Sequence, residues 1–129
     1  MNGMATAAQI VVRITFVVQI VLGVAFWTGN LLALVNLHIA SGILLVLGLW
    51  ALAALGARAS APLGIVVLAA AWGLVVIVFG LTQASLVTGS WHWTIQVLHL
   101  LVGISAVGQA EALAARIKRA SAPAPISSS

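Results

Sequence analysis

Apolar residues in this chain run in long, nearly unbroken blocks, unlike the alternation of a half-buried strand or the narrow stripe of a surface helix. Four blocks stand out, at residues 8–27, 31–56, 63–87 and 91–117. About 20 apolar residues in helical form cross the roughly 30 Å of bilayer hydrocarbon, so each block is long enough to span it. The breaks between them, Thr28-Gly29-Asn30, Arg58-Ala59-Ser60-Ala61-Pro62 and Thr88-Gly89-Ser90, carry the residues that end helices. The pattern predicts an all-α membrane protein: an up-down bundle of four transmembrane helices over residues 1–119, followed by a Ser, Ala and Pro tail over 120–129 read as disordered. No basic residue precedes Arg13, and no small-x-small site follows the first block, so that block is read as a retained helix and not a signal peptide.

Composition agrees with lipid as the solvent. The chain is 64% hydrophobic and 5% charged, with a mean hydropathy of +1.27, whereas a soluble domain carries about 25% charged residues. The four blocks use nearly all of its 129 residues, which leaves no length for a soluble domain.

The net charge of +4 does not point to nucleic acid, because of where the cations lie. Arg13, Arg58, Arg116, Lys118 and Arg119 fall near block ends, and in an up-down chain all of them share one side. The positive-inside rule makes that side cytoplasmic, with both termini there, in a cell's inner membrane. Trp27, Trp91 and Trp93 gather at the opposite face, as an aromatic belt does. Arg13 lies inside the first block but near its end, where its stem is expected to snorkel to the interface.

The two halves resemble each other. Thr28-Gly29-Asn30 leads to Leu37-His38-Ile39-Ala40-Ser41-Gly42-Ile43, and Thr88-Gly89-Ser90 leads to Leu98-His99-Leu100-Leu101-Val102-Gly103-Ile104. Each half is one helical hairpin crossing in the same sense, so the repeat axis lies along the bilayer normal.

His38 and His99 carry the chemistry. A histidine in hydrocarbon is costly and faces the bundle interior or a partner. Counted from the outer block ends, the two lie about 10 and 12 Å deep, nearly level. The second and fourth helices are expected on a diagonal of roughly 11–14 Å, given adjacent axes about 8–10 Å apart. Two inward imidazoles at that spacing suit a metal between them, and a haem iron is such a metal. The pair points to one bis-histidine haem b. A structural or proton-handling pair, or another macrocycle held by a single histidine such as a chlorophyll, are the alternatives. Gly42 and Gly103 each follow a histidine by four residues, on the same helix face, and leave space for a flat macrocycle or for close helix packing. Gly23, with Gly73 or Gly80, thins the neighbouring helices.

His92, between Trp91 and Trp93, is an interfacial residue, a propionate contact or part of a quinone site. Gln19, Asn36, Gln83, Gln96 and Gln109 are read as hydrogen-bonding glue between helices, and Gln83 also as a cofactor or quinone contact. Glu111, the single acid, is expected to pair with Arg116, Lys118 or Arg58. It lies too far from the histidines to serve as their general acid or base, at about 18 Å along the helix. There is no glycine-rich phosphate loop. The absence of cysteine excludes disulfides, thiolate metal sites and covalently attached haem.

The run Gln19-Ile20-Val21-Leu22-Gly23, leading through the Thr-Gly turn to Leu37-His38, is similar to one hairpin of haem A synthase, and Gln83 leading to Leu98-His99 resembles it more loosely. That family is built from two four-helix bundles, each with a histidine pair at the outer side. The resemblance covers most of the chain and implies His38 and His99 as axial haem ligands. The family's Glu three residues before a ligand His, and the Arg directly after it, are replaced by Val35 and Ile39 around His38, and by Gln96 and Leu100 around His99. The resemblance therefore extends to fold and haem site and not to the oxidation chemistry.

The sequence reading is a membrane-bound b-type cytochrome that transfers electrons to or from a quinol or a redox partner. Its partners are the lipid bilayer, a larger respiratory or photosynthetic complex, and a second copy of the chain. A non-redox accessory subunit and a divergent haem-modifying enzyme are the competing readings.

Overall fold

In the computed structural model, which describes residues 1–123, four helices make up nearly the whole chain. They are α1 (Asn2–Trp27), α2 (Val35–Arg58), α3 (Leu63–Thr82) and α4 (His92–Ala120), with short 3-10 turns at Leu32–Leu34 and Gln83–Ser85. Among the described residues there is no strand. All four helices are long and apolar enough to cross a membrane. In lipid each backbone N–H must find its acceptor within the segment, which selects uninterrupted helix over any open alternative. The helices stop where the backbone demands it. Gly29 and Gly89 take left-handed φ angles of +77° and +86°, so both Thr-Gly breaks turn the same way. Pro62 precedes α3 and accepts the Ile65 and Val66 amides through its carbonyl.

The four-helix bundle expected from the sequence is present, and α1 extends ahead of its apolar block. That helix begins at Asn2, not near residue 8, and Arg13 therefore sits eleven residues inside it. The expected tail shortens as well, since α4 continues to Ala120. Its last residues, 124–129, lie outside the described residues.

The bundle is inside-out along α1. Ile10, Ile14, Val17, Val21 and Val24 form an exposed apolar stripe, while the polar Gln9 and Thr15 are buried on the opposite side. In cross-section the bundle is a rhombus and not a square. α2 and α4 touch each other as well as both remaining helices, whereas α1 and α3 do not meet. The diagonal expected at 11–14 Å between axes is thus the short one, with Cα atoms of α2 and α4 within 8 Å. Small residues make this possible. Ala106, Ala110 and Ala114, one turn apart along α4, are fully buried in the shared core with Leu49, Leu52 and Leu113. Gly48 lets α1 close on α2, since a Cβ there would meet Val12 at 2.7 Å. Gly73 of α3 lies directly beneath the Trp50 indole, which donates to the Ala70 carbonyl at 3.0 Å.

This dense packing fills one half of the bundle, the half holding the chain's cations. The other half is sparsely packed. No residue from 31 to 40 is buried, and only Ile95 and Val102 are buried between 92 and 105.

At the dense end, Glu111 takes a partner the sequence did not suggest. Arg13 reaches it from α1 with two bonds, Nε to Oε1 at 2.7 Å and Nη2 to Oε2 at 2.8 Å. The buried Gln9 donates to the same carboxylate at 2.6 Å and accepts from Lys118 at 2.6 Å. Lys118 is thus linked to Glu111 only through Gln9. Arg13 ties α1 to α4 through this contact and so closes the ring of helices.

A candidate paired-histidine site

His38 stands in the first turn of α2 and His99 two turns into α4, both half-buried in the sparsely packed half. The structure brings them together. Their ring centroids are 6.3 Å apart, with the planes inclined at 52°. One metal ligated by two imidazoles at about 2.0–2.1 Å, in a straight line, sets ring centroids about 6–6.5 Å apart. The spacing fits. Nδ1 of both rings is buried without a hydrogen-bond partner, and buried polar atoms of that kind are rare enough to call for a reason.

Each ring is framed alike by the preceding helix of its own hairpin. Phe26 of α1 meets His38 edge-on at 5.3 Å, and Phe79 of α3 meets His99 edge-on at 5.8 Å. Gly23 faces the Cε1 edge of His38, where an added Cβ would lie at 3.9 Å, and Gly80 faces the Cε1 edge of His99, at 3.3 Å. The repeat thus extends to the surroundings of both rings. It does so without a matching sequence order, because Gly23 precedes Phe26 by three residues while Phe79 directly precedes Gly80. The two phenylalanines were not legible beforehand, since an aromatic residue in an apolar block looks like any other lipid-facing or core residue. Gly23 and Gly80 were singled out only as thinning positions.

The two glycines one turn beyond the histidines differ. Gly42 makes room for Gln19, whose Nε2 would stand 3.1 Å from a Cβ at that position. That nitrogen donates to the His38 carbonyl at 2.5 Å and to Ser41 Oγ at 2.8 Å. The space expected for a macrocycle at Gly42 is filled by a carboxamide that holds the start of α2 against α1. At Gly103 an added Cβ would meet nothing within 4 Å, so there the space is open.

Gln83 leaves its Oε1 buried and unpartnered, three residues past Gly80 on the end of α3 that meets His99. His92 lies seven residues before His99, on the same face of α4 and about 10 Å along it. Its Nδ1 is 3.2 Å from the Leu86 carbonyl, which ties it to the α3–α4 loop. Phe79, behind the His99 ring, also lines an open apolar cleft of about 520 Å³ between α3 and α4, with Leu74, Val78, Thr82 and Leu98.

No group of three or more His, Cys, Asp or Glu side chains capable of holding a metal occurs among the described residues. The two imidazoles are the titratable side chains that the structure brings together in this half of the bundle. The chain matches no protein-family model, no curated protein and no solved structure.

Proposed function

We propose that this chain is a membrane-bound b-type cytochrome in which His38 and His99 hold one haem as its two axial ligands, passing electrons to or from a quinol or a redox partner. The observation that carries the reading is the 6.3 Å separation of the two rings, which matches one metal bridged by two imidazoles. Support comes from the unpartnered Nδ1 atoms, the open space at Gly103 and the sparse packing confined to this half of the bundle. When bound between His38 and His99, haem would supply a one-electron couple, the chemistry of electron transfer.

The chain's own residues do the rest. Phe26 and Phe79 limit rotation of the imidazoles. Gln19 anchors the backbone at His38. Gln83 carries a buried, unpartnered Oε1 at the end of α3 that leads into the histidine half. The apolar cleft behind Phe79 gives a lipid-soluble quinol a short approach to His99. In this reading the end bearing Arg58, Arg116, Lys118 and Arg119 is cytoplasmic and the haem lies in the outer half of the inner membrane.

The test is a reduced-minus-oxidised absorption spectrum of protein purified after expression with ample haem, beside His38→Ala and His99→Ala variants. A low-spin haem spectrum lost in both variants is the expected result. A stable, colourless parent would overturn the reading and leave the accessory-subunit role.

A further inference from the structure

At the end of the bundle away from the histidines, the α2–α3 loop and the last turns of α4 line an open cleft of about 230 Å³. Ser60 and Pro62 line it from the loop, and Arg116 and Arg119 line it from α4. Three residues apart, the two arginines share one helix face. The geometry points to a binding site for a phosphate group, supplied by the headgroup of an anionic phospholipid.

Charge is the first argument. The chain has one acidic side chain, Glu111, and Arg13 takes it through both carboxylate oxygens. Arg116 and Arg119 are thus left without a side-chain carboxylate to neutralise them, although they stand together at one cleft. Paired guanidinium forks match phosphate oxygens in geometry as well as sign.

The backbone around the cleft favours an anion too. The carbonyls at the end of α2, which would repel one, are occupied: Leu55 and Gly56 accept from Ala59, Ala57 accepts from Ser60, and Gly56 also accepts from Ala61. α3 begins at Leu63, immediately after the lining residue Pro62, so its positive end lies at the same loop.

Depth selects the lipid as the source. α3 has 20 residues, about 30 Å, which is the thickness of the hydrocarbon itself. Its first residue therefore marks the edge of the hydrocarbon, and the cleft beside Pro62 lies at the level of the headgroups. The volume holds a phosphate with its adjoining atoms, well beyond a single water of about 30 Å³.

Native mass spectrometry of the full chain, equilibrated with dioleoyl-phosphatidylglycerol or dioleoyl-phosphatidylcholine, tests the site. One phosphatidylglycerol retained in preference to phosphatidylcholine is expected. Retention should fall on the order of tenfold in the double variant R116Q/R119Q and survive in R58Q, which removes a cation outside the cleft. The R116K/R119K variant keeps the charge and loses the forks; a fall of several-fold there, with helicity unchanged by circular dichroism, separates phosphate recognition from misfolding. Displacement of the lipid by millimolar inorganic phosphate supports recognition of the phosphate group itself. Binding of phosphate without phosphatidylglycerol would replace the lipid as the source. Equal retention by parent and R116Q/R119Q, or equal retention of both lipids by the parent, overturns the proposal.

Discussion

Gln19 of α1 donates one carboxamide nitrogen to both the backbone carbonyl of His38 and the hydroxyl of Ser41, and so sets the position of the first turn of α2. Ser41 Oγ completes the triangle by donating to the same carbonyl at 3.1 Å. The His38 ring therefore springs from a backbone held from a second helix. Gln19→Leu should cost about 0.6–2 kcal/mol, the range of hydrogen bonds between membrane helices. It should also broaden the haem spectrum by loosening one ligand. Reversible unfolding in mixed micelles and low-temperature absorption measure the two effects. An unchanged spectrum with normal stability would remove Gln19 from the site.

Arg13 and Glu111 give a second prediction. Removing one partner leaves the other without its bidentate contact, whereas removing both leaves no unpaired charge. Glu111→Gln and Arg13→Gln should each destabilise the bundle, and the double variant should lose less than the two added together. Such non-additivity is the mark of residues in direct contact. Additive losses would mean that the pair does not join α1 to α4.

The open space at Gly103 predicts a separation of folding from loading. Gly103→Leu places a side chain where nothing lies within 4 Å of the missing Cβ. The variant should keep its helicity and thermal stability within about 1 kcal/mol, the cost of an unstrained surface change, and yet bind little haem. Gly80→Ala should act more gently, because its Cβ would press on His99 Cε1 from 3.3 Å. Measuring haem per chain by pyridine haemochrome against circular dichroism decides the matter; full haem content in Gly103→Leu would place the macrocycle elsewhere.

Gly73 tests the dense half. A side chain there collides with the Trp50 indole and displaces its bond to Ala70. Gly73→Val should destabilise by about 1–3 kcal/mol, as overpacking does, while Gly108→Ala, where an added Cβ meets nothing within 4 Å, should be neutral or mildly stabilising. A similar unfolding midpoint for the two variants would contradict the packing described.

The parts of this molecule that could be read in advance are those where the chain departs from an apolar background. His38 and His99 stand out because they recur inside apolar blocks of both halves, each followed four residues later by glycine, and the Thr-Gly breaks because glycine marks a backbone reversal. Partner choice was harder. Glu111 could be matched with nearby cations by sequence, but the contact of α1 with α4 that delivers Arg13 arises only when the last helix closes on the first. The short α2–α4 diagonal depends on three alanines acting together, and in an apolar text alanines carry no signal of which neighbour they admit. At Gly42 the sequence left close packing and macrocycle space both open, because the group that fills the space beside it, Gln19, comes from another helix.

The uneven packing along the bundle gives it the mechanics of a clothes-peg. The Leu and Ala core, with the Arg13–Glu111 clasp, is the spring, and the two imidazoles are the jaws. In the proposed cytochrome, a flat ligand would bear on the sparsely packed jaws and leave the spring, which lies at the other end of the bundle, outside its reach.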